Sequence, residues 1–147
     1  MLDRPGDTSP QAVSHSLTTK LVDAEGTEPL DIELHYDPRS PYAATAVFKT
    51  GGARVLWTFG RDLLRVGLYE PVGSGDVHVR PDVDDNGQAT VHLELYSPHG
   101  AAVVVVPARD VQRFVEVMTA TVPPGTESEH LDLDETIDRL LTSMSED

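Results

Sequence analysis

Cysteine is absent from the 147 residues, which excludes disulfides and thiolate chemistry and makes a reducing compartment the natural setting. Lysine is scarce: Lys20 and Lys49 are the only two in a chain with 11 bases, 25 acids and a net charge of −14. A polyphosphate backbone is held by clustered Lys and Arg, so nucleic acid is disfavoured as a partner. The longest apolar run, Ala101–Ala108, spans 8 residues and contains Pro107, far short of the ~20 a membrane helix needs. Direct membrane insertion is therefore not expected. The first residues lack the apolar core of a signal peptide, so the simplest expectation is a cytoplasmic protein. Tryptophan occurs once, at position 57.

What is present is ordinary for a folded domain: 39% hydrophobic and 24% charged residues, in a length that buries roughly 70% of the unfolded surface. Residues 1–12 are polar and rich in Pro, Gly, Asp and Ser, and read as a disordered arm. Strand patterns follow at Val13–Val22, Leu30–Tyr36, Tyr42–Thr50 and Arg54–Phe59, then Asp76–Arg80, Thr90–Tyr96 and Ala101–Val106. In Leu30-Asp31-Ile32-Glu33-Leu34-His35-Tyr36 apolar and polar residues alternate strictly, as a half-buried strand requires. Gly51-Gly52 and Asn86-Gly87 are hairpin turn signals. Arg61–Leu68 has the length of a short helix. Ala108–Ala120 reads as a longer one, with Val111, Phe114, Val115 and Met118 on one face. The domain is thus expected over residues 13–123. Residues 124–147 hold eight acids against Arg139 alone. Their stripe of Leu133, Ile137, Leu140, Leu141 and Met144 predicts an amphipathic acidic helix, docked on the domain or on a neighbour.

The chain also resembles itself at an offset of 48. Gly52/Gly100, Ala53/Ala101, Val55/Val103, Arg61/Arg109, Asp62/Asp110 and Arg65/Arg113 are identical pairs, each set reading as strand, Gly turn, strand and Arg-Asp helix start. Asp62 and Asp110 then fall near helix N-termini, where a carboxylate meets free N–H groups and the helix dipole.

Several short patterns suggest chemistry. Gly73-Ser74-Gly75-Asp76 lacks the further Gly of a dinucleotide loop and the Lys of a phosphate loop, so it reads as a turn. Asp82-Val83-Asp84-Asp85-Asn86-Gly87 opens like a calcium loop, but position 12 falls on Leu93 and Glu94 is one residue late; a hairpin fits better. If the strands around that turn pair, Asp76, His78 and Arg80 share a face with His92 and Glu94. That set could ligate zinc, yet a solvated sheet face is the commoner outcome. Local spacing supports no nucleophile with a base and no carboxylate pair. No catalytic, cofactor-binding or metal residue is assigned, no cofactor is implied, and the partner-binding residues are left unknown. Arg61-Asp62 reads as a structural cap with a partner charge, Trp57 as core, and Val103–Val106 as a run buried on both faces, either in the core or across an interface. Leu63, Leu64, Leu68 and Tyr69 are too many large apolar groups for so short an element unless several are covered.

Read in order, these residues resemble the SsgA-like proteins of sporulating actinobacteria. The match runs through Tyr36-Asp37, Pro41-Tyr42-Ala43, Phe48-x-Thr50-Gly51, Trp57-x-Phe59-x-Arg61-Asp62-Leu63-Leu64, Gly67-Leu68, Pro71-x-Gly73-x-Gly75-Asp76-Val77-x-Val79-x-Pro81, Ser97-Pro98-x-Gly100, Pro107-Ala108 and Val122-Pro123-Pro124-Gly125-Thr126-Glu127. Departures are Lys49 for the family's His, Gly60 for Ala and Arg80 for Trp. The resemblance implies an α+β fold of antiparallel sheets and helices, whirly-like with two strand-helix repeats, assembled as a homotrimer. It implies a non-enzymatic role in sporulation-linked cell division, acting at septa through contacts with FtsZ or its recruiters. The alternative it leaves open is a whirly-like single-stranded nucleic-acid binder.

Overall fold

A computed structural model describes residues 11–131. Strands β1 (Val13–Asp23), β2 (Gly26–Tyr36), β3 (Ala43–Thr50) and β4 (Ala53–Gly60) lead into helix α1 (Asp62–Gly67). Strands β5 (Val72–Ser74), β6 (Val77–Val83), β7 (Ala89–Ser97) and β8 (Gly100–Pro107) then lead into helix α2 (Ala108–Thr121). Four antiparallel strands and a helix thus occur twice, and the class is α+β.

All eight strands hydrogen-bond in one order, β4-β3-β2-β1-β8-β7-β6-β5. The two halves meet where β1 pairs with β8, over Lys20↔Val105, Leu21↔Val104 and Val22↔Val103. The seam is short because β1 then parts from β8, and the Thr19 hydroxyl donates to the Val105 carbonyl. The inner faces of both halves feed one core, in which Leu30, Ile32, Leu34 and Phe48 join Val79, Val91, Leu93 and Val104. Helix α2 lays Val111, Phe114, Val115 and Met118 onto this core, the face its periodicity predicts. Helix α1 reaches from β4 to β5 and β6. Its last residue, Gly67, sits so close to Val79 that an added Cβ would lie 2.3 Å from Cγ1.

The turns follow local chemistry. Gly51 and Gly52 take φ of +50° and +84°, as a tight hairpin with two left-handed residues demands. At the β6–β7 turn, Asp84 Oδ1 accepts the backbone N–H of Asn86 and of Gln88.

Four expectations change. Asp62 and Asp110 do lie in the first turns of their helices, but neither helix has a side-chain hydrogen bond at its N-terminus, so neither carboxylate is a cap. Asp62 pairs with Arg65 at 3.1 Å and Asp110 with His15 at 2.9 Å, because first-turn carboxylates are drawn to bases already beside them. Trp57 is half-buried against the core rather than within it, since β4 has no strand beyond it among the described residues. Val104 and Val106 are fully buried while Val103 and Val105 are only partly covered, so that run has one fully buried face. Residues 127–130 form a 3-10 turn instead of α-helix; the predicted helix beyond it, and nearly all of the predicted arm over 1–12, lie outside the described residues.

Candidate functional site

The β6–β7 hairpin forms as its turn predicts. It pairs His78 with Glu94 and Arg80 with His92, so the polar set does share one face. Its charges are already engaged. Arg80 Nη1 donates to Asp82 at 2.7 Å and its Nε to Glu94 at 3.1 Å. The remaining Glu94 oxygen accepts from the Tyr96 hydroxyl at 3.0 Å. His78 meets the Tyr96 ring edge-on, with centroids 5.4 Å apart. His92 is 3.7 Å from Asp82, and burial followed by the nearby Arg80 charge lowers its pKa. Asp82 is lowered by the Val83 backbone N–H and then by Arg80. Among the described residues no group of three His, Cys, Asp or Glu side chains is placed to hold a metal ion. The face is a solvated ion-pair lattice. The Gly73–Asp76 segment is the β5–β6 turn, with Ser74 paired to Val77.

Arg61 stands at the N-cap position of α1 and has the partner charge its sequence reading expects, drawn from a distant segment. It follows β4 directly, and its side chain is 1% exposed. Nη1 donates to the Val122 carbonyl at 2.8 Å and to the Tyr36 hydroxyl at 3.2 Å, and the guanidinium lies over the Tyr36 ring. Nη2 is 3.1 Å from Glu127 Oε2. The Tyr36 hydroxyl in turn donates to the Pro41 carbonyl at 2.9 Å, and burial is the main reason its pKa is raised. Glu127 accepts the Gly125 N–H through its other oxygen at 2.7 Å. Its pKa is lowered first by its own backbone N–H, and then by Arg61 and Gly125, against some desolvation. One buried cation thus ties the strand-to-helix junction of the first half to the exit of α2 in the second. A buried Arg is placed only with a partner carboxylate. The Pro-Pro-Gly-Thr-Glu run that supplies it was visible in the sequence, but its pairing across 66 positions was not. The equivalent Arg109 is exposed, so the shared Arg-Asp signature serves two different purposes.

The surface offers apolar groups as well. Leu63 and Leu64 are buried, but Tyr69 is 76% exposed, and Val55 and Leu56 on β4 are 45% and 62% exposed. Strands β4 and β5 are the two edges of the sheet; β5 is three residues long, whereas β4 presents eight. A long apolar edge strand invites pairing.

The family model described as "Streptomyces sporulation and cell division protein, SsgA" matches residues 30–127. The chain belongs to this SsgA-like family. It is 49% identical over 131 residues to the sporulation-specific cell division protein SsgB of Kineococcus radiotolerans, covering 88% of this chain and 79% of that one. It is 43% identical over 122 residues to SsgB of Streptomyces coelicolor, covering 82% and 88%. Two solved structures share its fold. One comes from work relating SsgB mutations to longitudinal cell division during sporulation of S. coelicolor, with a TM-score of 0.77 and 41% identity over 86% of this chain and 100% of that one. The other is an SsgA-like sporulation-specific cell division protein of Thermobifida fusca, with a TM-score of 0.80 and 30% identity over 90% and 98%. The match from Leu30 to Glu127 takes in Tyr36, Arg61, Val122 and Glu127, the whole of the buried latch. No helix among the described residues is long and apolar enough to cross a membrane.

Proposed function

We propose that this protein serves sporulation-linked cell division as a non-enzymatic scaffold, a whirly-like homotrimer that holds FtsZ or one of its recruiters at the division septum. The observation that carries the reading is the family match over residues 30–127, with relatives named as sporulation-specific cell division proteins. The edge of β4, with Val55 and Leu56 exposed on its opposite faces and no strand beyond it among the described residues, supports work through protein contacts. The nucleic-acid alternative finds less support. On the outer face of the first half, Lys49 lies 3.8 Å from Glu33 and pairs in register with Asp31, so bases and acids are interleaved rather than clustered.

The test is a deletion in a sporulating host, complemented by the intact chain and by one truncated after Leu131. Restored septa with the intact chain support the reading, and normal sporulation of the deletion strain overturns it. Failure of the truncated chain alone assigns the acidic stretch 132–147 to the function. Co-sedimentation with purified FtsZ filaments then separates direct contact from contact through a recruiter.

A further inference from the structure

Beside the seam, where Leu21 pairs with Val104, the sheet carries an open cleft at the end away from the helices. There the inner faces leave a cleft of about 420 Å³. Leu30, Phe48, Val55 and Trp57 line it from the first half and Leu95 and Ala102 from the second. Helix α2 packs on β1, β7 and β8, and α1 on β4, β5 and β6, yet neither helix contributes a lining residue here. Among the described residues the apolar wall is therefore left open between three turns, β1–β2, β3–β4 and β7–β8.

Two features restrict what can enter. The rim carries Asp23 and the exposed Glu25, with His99 opposite, and the lining includes no Lys or Arg. One wall, Val55 and Trp57, belongs to β4, whose outer side has no strand partner among the described residues. An edge strand binds an extended peptide by adding it to the sheet, with pockets for its side chains giving specificity. Acidic groups around an apolar floor select an occupant that is apolar with a positive flank, and repel an anionic one.

The geometry points to a docking site for an extended apolar peptide segment flanked by Lys or Arg. It lies along β4, lays an apolar side chain against Val55 and Trp57 at the mouth of the cleft, and sets its basic flank toward Asp23 and Glu25. A fatty acyl carboxylate or an anionic lipid meets the wrong charge. This inference rests on the reading that the protein works through protein contacts, and it names the chemistry of one such partner.

Trp57, the only tryptophan, is a built-in reporter. The intact chain is titrated with a synthetic Leu-Phe-Leu peptide flanked by lysines, with its glutamate-flanked counterpart, and with oleate, while Trp57 emission is followed. The expected result is a saturable blue shift with the lysine peptide, weakening as salt rises. Glu25→Lys, an exposed substitution that spares the fold, should weaken binding about tenfold. Ala102→Phe, which fills the cleft, should abolish it. If Ala102→Phe does not fold, Glu25→Lys still decides.

Equal binding of both peptides, or no effect of Glu25→Lys, overturns the proposal. Preferential binding of oleate overturns it in favour of an acyl ligand. A fall in sedimentation coefficient with Ala102→Phe, without peptide binding by the unaltered chain, overturns it in favour of a second copy. Absence of peptide binding alongside intact co-sedimentation with FtsZ would remove the cleft and leave the division role standing.

Discussion

At the scale of single residues, Arg61 shows how a surface-type side chain becomes central to a fold. A guanidinium out of water needs partners, and three distant parts of the chain supply them: Tyr36 and Val122 accept from Nη1, and the Glu127 carboxylate pairs with Nη2. Sequence spacing identified the Arg-Asp step and a charged partner for it, but the partner's identity depends on how the exit of α2 folds back. The latch has an expected pH signature. A carboxylate whose folded pKa is held below its unfolded value stabilises the fold above the unfolded value, and that stabilisation is lost as pH falls through the folded pKa. Glu127 is lowered from 4.5, so its contribution is present at neutral pH and fades below 4.5. Calorimetric Tm values should fall with acidification in the parent chain, with a shallower slope for Glu127→Gln below that pH. Identical slopes would show that Glu127 does not titrate as the latch requires.

Among the elements, the strands were legible because each buries one face, and burial of one face imposes a period of two. Strand β2 shows it directly: Leu30, Ile32, Leu34 and Tyr36 are buried and the residues between them are not. Strand β5 was not legible, since three residues of Val-Gly-Ser are too few for alternation and carry turn chemistry. Helix α1 is short for a helix that must stand alone, and what holds it is packing. Leu63 and Leu64 enter the core, and Gly67 allows close approach to β6. Gly67→Ala would place Cβ 2.3 Å from Val79 Cγ1 and 2.7 Å from Val79 Cβ. Neither atom is the end of a flexible side chain, so α1 or β6 must shift, at about 1–3 kcal/mol. Urea denaturation should show that loss with an unchanged m-value; stability equal to the parent chain would mean that α1 is free to move.

For the whole molecule, the strand order is head-to-tail. Strand β8, the last of the second half, pairs with β1, the first of the first half. Strand β4 occupies the same place in its half as β8 does, yet it ends the sheet. The proposed trimer predicts three chain masses by light scattering at micromolar concentration. A strict monomer would overturn the trimer without touching the fold.

By itself the sequence determined the strand-rich class, the two Arg-Asp junctions and the hairpin turns, because alternation, helical periodicity and turn residues are local consequences of side-chain chemistry. It also sufficed to identify the family, through motifs spread from Tyr36 to Glu127. Only the tertiary structure decided the partner of Arg61, the exposure of β4 and the acid-rimmed cleft beside Trp57. Each of these depends on which segments meet after the chain has crossed tens of positions. Contacts at that separation are chosen by the joint packing of both halves, and no local pattern records them.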